Sequence, residues 1–213
     1  MWIDTHCHTK YSHDNWLEPL DLIRRAKALG LDGVCITEHY SFEASAPVEA
    51  IGRDEGLLVL RGVEVSSDRG HILVFGIEDD GWNRWGRDNY IPLQPLIEQV
   101  SEIGGICIPA HPYREVGVAS LLDGILELEG IAGVESHNGG NLDADNLLAI
   151  MAAKYLRLPT LGGSDCHKVS AVGRCATEFF QPVTDMASFI AAVKGGACRG
   201  AYYTGFAQLA QAG

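Results

Sequence analysis

The sequence predicts an α/β protein of about seven consecutive strand–helix units, and three observations carry that prediction. Short apolar runs alternate with amphipathic stretches along most of the 213 residues. The stretches between runs are long enough for helical crossovers, which argues for parallel strands. Six of the runs finish in a His, Asp or Glu, at the strand ends where barrels of this class carry their chemistry.

Trp2-Ile3-Asp4-Thr5-His6-Cys7-His8 opens the series as a strand and is followed by a polar loop, Thr9 to Asp14. Pro19 to Leu29 reads as an amphipathic helix that Gly30 stops. Gly33 to Ile36 is a buried strand ending in Thr37-Glu38-His39, and a weakly patterned helix follows over Pro47–Glu55. A third strand starts at Leu57 and runs through Gly62-Val63-Glu64. A turn at Asp68-Arg69-Gly70 leads to a fourth strand that begins with His71. Residues 78–92 form a polar insert in which Trp82, Trp85 and Tyr90 could make a lid or pack on the rim. Helices follow over Leu93–Ile103, Leu121–Leu128, Asp143–Leu156 and Asp185–Lys194. Between and after them come strands ending at His111, at Glu135-Ser136-His137-Asn138 and at Asp165-Cys166-His167, then Glu178–Phe180 and Ala201–Tyr203.

The length fits one domain over residues 1–213, with 46% hydrophobic and 21% charged residues. A formal charge of −12 with no basic run argues against an extended nucleic-acid surface. Bound dications could still make a local cationic pocket. The six cysteines have no paired spacing, and no apolar run reaches transmembrane length. These features predict a cytoplasmic protein with reduced thiols and no membrane contact.

Side chains at i and i+2 of a strand share a face, so His6 and His8 point together. With them stand His13 or Asp14 from the loop, His39, Glu64, His71, His111, Asp165 and His167. Each alone could be an ordinary strand-end histidine or a helix cap. Their recurrence at strand ends of one face has metal as its economical cause, because imidazoles plus bridging carboxylates suit a polynuclear hydrolytic site.

Asp4-Thr5-His6-Cys7-His8-Thr9, Thr37-Glu38-His39, Gly62-Val63-Glu64, Gly70-His71-Ile72-Leu73, Ala110-His111-Pro112 and Gly163-Ser164-Asp165-Cys166-His167 together resemble the successive motifs of the PHP (polymerase and histidinol phosphatase) family. That resemblance implies a distorted (β/α)7, TIM-like barrel with the metal site at the C-terminal ends of the strands. It also implies two or three divalent metals (Zn, Mn or Fe) and phosphoester hydrolysis. Carried over, His6, His8, Glu64 and Asp165 hold a first metal, and Glu64 as bridge with His71 and His111 holds a second. His39, His167 and the loop residue hold a third. Many relatives carry Asp where this chain has His13, with Asp14 next; the register favours His13.

The expected chemistry is attack on a small phosphorylated metabolite or nucleotide by a metal-bridging hydroxide held by Glu64 and Asp165, with His137 as general acid. Arg114, Lys168 and Arg174 are the expected phosphate contacts. Two other functions compete: an amidohydrolase-like C–N hydrolase, whose barrels also use His-rich strand ends, and a PHP module without catalysis.

Overall fold

The computed structural model describes residues 1–84 and 91–205. Nine strands and five α-helices are formed among them. In chain order they are β1 (Trp2–Cys7), α1 (Pro19–Leu29), β2 (Gly33–Ile36), α2 (Ala46–Glu55), β3 (Leu58–Ser66), β4 (His71–Phe75) and α3 (Leu93–Glu102). There follow β5 (Ile106–Pro109), β6 (Val134–Asn138), α4 (Asp143–Leu156), β7 (Thr160–Gly163), β8 (Cys175–Phe179), α5 (Met186–Lys194) and β9 (Cys198–Tyr202). The stretch expected as a helix over Leu121–Leu128 is a 3-10 turn, Leu122–Glu127.

Seven strands join in the order β5-β4-β3-β2-β1-β8-β9, and β6 pairs with β7 in a second sheet. The seven-stranded sheet curls into a half-barrel. The expected succession of parallel strands holds for β1–β2–β3 and for β6–β7. β4 and β8 run antiparallel to both their neighbours. The reason at β4 is local: four residues separate it from β3, too few for a crossover. The reversal still serves the site. The first residue of an antiparallel strand lies where its parallel neighbours end, so His71 pairs with Ser66 beside Glu64.

α1 shows why the helices form where they do. Leu22, Ile23, Ala26 and Leu29 recur on one buried face, and Gly30 in the left-handed region donates its N–H to the carbonyls of Ala26 and Lys27. Burying such a Leu or Ile side chain stabilises by about 1.5–3 kcal/mol. Three apolar clusters result, packed by α1 and α2, by α3 and α4, and by α5 with the inner face of the sheet. Trp82 is buried in the second of these, not part of a lid, while Trp85 and Tyr90 lie outside the described residues.

Glycines let the small sheet close onto the large one. A Cβ at Gly163 would come within 2.3 Å of the His6 Cβ, and one at Gly200 within 2.2 Å of the Leu161 carbonyl oxygen. Any side chain at Gly163 would push β7 away from β1, and with it the segment that carries Asp165.

Candidate metal centre

The expected ligands come from the ends of six strands. His6 and Glu64 sit in β1 and β3, His71 begins β4, and His8, His39, His111 and Asp165 lie in the first residues past β1, β2, β5 and β7. The Asp165 N–H donates to the His6 carbonyl at 2.8 Å, and that of Glu64 to the Thr37 carbonyl at 3.2 Å. Backbone pairing therefore sets the distances between ligands. Among the described residues, three of the five non-glycine residues with positive φ lie here: Tyr40 (60°), His111 (29°) and Asp165 (52°). Such conformations cost on the order of 1–3 kcal/mol each and persist where the surroundings enforce them.

Three groups of donor atoms result, each within 4.8 Å of one another: His6, His8, Glu64 and Asp165; Glu64, His71 and His111; and Asp14, His39 and His167. Glu64 is split between the first two. Its Oε2 lies 3.3 and 3.1 Å from Nε2 of His6 and His8, while its Oε1 lies 2.9 and 3.0 Å from His71 Nδ1 and His111 Nε2.

The donors fit a divalent cation on grounds internal to the fold. His6 Nδ1 is 2.8 Å from the buried Glu135 carboxylate, so that nitrogen carries the hydrogen. Ser12 gives its hydroxyl hydrogen to Glu38, and its oxygen therefore accepts from His8 Nδ1 at 3.1 Å. Both Nε2 atoms are then left as lone pairs, 3.0 Å apart and facing Glu64 and Asp165. Two nitrogens and two carboxylates turned onto one point ask for positive charge. Burial opposes protonation of His6, yet Glu135, Asp165 and Glu64 draw its pKa well above the usual imidazole value. Burial likewise raises the Glu64 carboxyl, but the His6 charge and hydrogen bonds from His111, His6 and His71 carry it well below the carboxylate range. His111 Nδ1 is buried without a partner. In the third group burial, helped by His8, lowers His39 to about 4, leaving a neutral donor at neutral pH.

Three expectations change. His13 is exposed and outside the three groups, and Asp14 takes the loop position, its Oδ2 3.3 and 3.4 Å from Nε2 of His39 and His167. The loop turns on its own bonds, among them Ser12 N–H to Thr9 and Leu17 N–H to Asn15 Oδ1, and these rather than strand register aim its side chains. His137 contacts Ser136 Oγ and the Tyr202 ring, because a bulge in β6 between Glu135 and His137 breaks the alternation. Arg114 is half-buried against Asp165 Oδ2 at 2.8 Å, with Asn138 and Asn141 alongside, so it braces a carboxylate. Lys168 and Arg174 are exposed.

The sequence reading passed over the residues that hold the ligands. Glu135 also accepts the His111 N–H at 2.6 Å and Asn138 Nδ2 at 3.0 Å. Glu38 collects Thr9 and Ser12, and Asp4 accepts the N–H groups of Ser164 and Gly173 at 2.8 and 3.0 Å. Their signal was present: each is an acid in an apolar run or at its end, as the ligands are.

A mixed α/β sheet carrying, among the described residues, three carboxylate–imidazole groups, two of them sharing one glutamate, has the donor set of a polynuclear metal centre. The PHP domain model matches residues 4–133, and the PHP-associated model matches residues 143–198. An uncharacterized protein of Methanocaldococcus jannaschii is 31% identical over 157 residues, 67% of this chain and 85% of that one. Among solved structures, a protein from Bifidobacterium adolescentis described as a putative metal-dependent phosphoesterase superposes with a TM-score of 0.64 at 19% identity, covering 90% of this chain and 95% of that chain. A lesion-specific endonuclease from Pyrococcus furiosus gives 0.69 at 20%, covering 93% and 57%. At those identities the structures attest to the fold. The chain belongs to the PHP family.

Proposed function

We propose that this chain is itself a phosphoesterase that hydrolyses a small phosphorylated metabolite or nucleotide, using two or three divalent cations held by the groups described above. The observation that carries the reading is the division of Glu64 between two sets of imidazoles. Bound dications supply Lewis acidity towards phosphoryl oxygens and an acidified water.

The chain's own residues do the rest. Glu135 and Ser12 fix the His6 and His8 tautomers so that neither ring must turn to bind. Arg114 holds Asp165 with its other oxygen directed at the histidines. Lys168 and Arg174, exposed beyond the last ligands, are the side chains assigned to an anionic substrate. His137 lies edge-on to the Tyr202 ring, and the proposal gives it no part in the reaction.

No helix among the described residues is long and apolar enough to cross a membrane. All six cysteines are buried free thiols, which suits a reducing cytoplasm. The net charge of −12 favours a small substrate, or a strand end, over an extended nucleic acid.

The test is phosphate release by protein loaded with Mn²⁺ or Zn²⁺, across phosphomonoesters, cyclic nucleotides and short oligonucleotides. Turnover of one class supports the reading. Amide or lactone cleavage instead would assign the chain to C–N hydrolysis, and silence from verified metallated protein would make it a non-catalytic module. Stoichiometry tests the third group separately: Asp14→Ala is expected to lose one metal per chain and His13→Ala none, measured by mass spectrometry of bound metal. The opposite pattern would return the loop position to His13.

A further inference from the structure

Helix α4 is apolar on both sides. Ala149, Ala152 and Ala153 face the core. On the outer side Leu147, Leu148, Met151 and Tyr155 are 58%, 46%, 59% and 76% exposed. Leu147, Met151 and Tyr155 recur every four residues and so form one stripe, where a helix facing water is ordinarily polar. The 3-10 turn that packs against α4 adds Leu122 and Leu126, 42% and 39% exposed. Apolar side chains gathered this way mark an interaction surface.

We propose that this face is the two-fold interface of a homodimer, with α4 packed antiparallel against its own copy. The charges select this occupant. Asp143 and Asp145 lie in the first turn of α4, Lys154 in the last, and Arg157 at the C-terminal cap. With the axis beside Ile150, Asp143 of one copy lies opposite Arg157 of the other, a pair that occurs twice by symmetry. The helix dipole favours the same order of charge, but it gives no reason for four large apolar side chains between the ends. A parallel pairing would set like charges together at both ends. A net charge of −12 disfavours an anionic membrane and repels a second copy over most of the surface. On α4 that repulsion turns into pairing. The dimer is independent of the reaction proposed above.

Sedimentation equilibrium of the full chain tests the proposal. A dimer dissociating in the micromolar range or below is expected, and a chain still monomeric at about 100 µM overturns it, leaving the stripe to another kind of partner. Met151→Glu sets two carboxylates together at the axis and is expected to give monomers whose far-UV circular dichroism and metal content match wild type. The charge pair supplies a second measure that does not touch the apolar stripe. Asp143→Arg and Arg157→Asp alone are each expected to raise the dissociation constant about tenfold or more. Combined in one chain they re-form both pairs across the axis and restore the wild-type value. A dimer that survives Met151→Glu, or a double swap no tighter than either single, overturns the proposal.

Discussion

Glu64→Gln is expected to strip the centre of metal and to end phosphate release in the same step. Glutamine keeps the volume but not the charge, and an amide offers one acceptor oxygen where the carboxylate has two. Those two oxygens face different imidazole pairs, His6 with His8 and His71 with His111. The substitution therefore weakens both groups at once, leaving four buried or half-buried rings without their shared counter-charge. The expected fall in turnover is roughly 10³-fold or more, on the scale of losing a group that acts throughout the transition state. Metal analysis and phosphate release on the same preparation check it. A variant that keeps its full metal content, or that turns over at the wild-type rate, would remove Glu64 from the bridging position.

The second large effect belongs to a residue that binds no metal in this scheme. Glu135 receives three donors: His6 Nδ1, the His111 N–H and the Asn138 amide. Glu135→Gln keeps the shape, but its NH2 group must then face at least one of those donors. An unpaired buried donor costs about 1–3 kcal/mol. His6 and His111 serve different groups, so the expected loss of metal affinity is about 10–100-fold, the usual range for residues that orient ligands. Chelator competition measures it, with circular dichroism confirming the fold. Affinity unchanged within twofold, in a folded protein, would show that His6 needs no help to hold its ring.

Much of the centre was legible because strands impose a two-residue period and barrels collect strand ends. His6 and His8 share a face for that reason, and Glu64, His111 and Asp165 follow apolar runs as expected. Direction was harder to read. The run His71–Phe75 has the same composition whether it ascends or descends, and only the short turn before it carries the answer. His137 stood as general acid because it is the one histidine outside the expected ligand set, and the sequence carries no mark of the bulge in β6 that turns it towards Tyr202. His13 and Asp14 sit in a loop whose bonds are set by Thr9, Ser12 and Asn15, and no period applies there. Arg114 is a charge whose partner, Asp165, lies far along the chain, and distance in sequence hid the pairing.

The placement of β1 between β2 and β8 also sets an order of assembly. β1 precedes β8 by most of the described chain, and at 5–20 residues per second a ribosome takes on the order of 10 s to deliver the missing neighbour. During that interval one edge of β1 is open, and His6 and His8 already stand on the nascent chain without Asp165. The donors Glu64, His71 and His111 are all present once β5 and the residue pair after it have emerged, whereas the group of His6, His8, Glu64 and Asp165 is complete only after β7 and its following loop. Chains interrupted before that point carry an unpaired strand edge, and two imidazoles whose carboxylate partner Asp165 is missing.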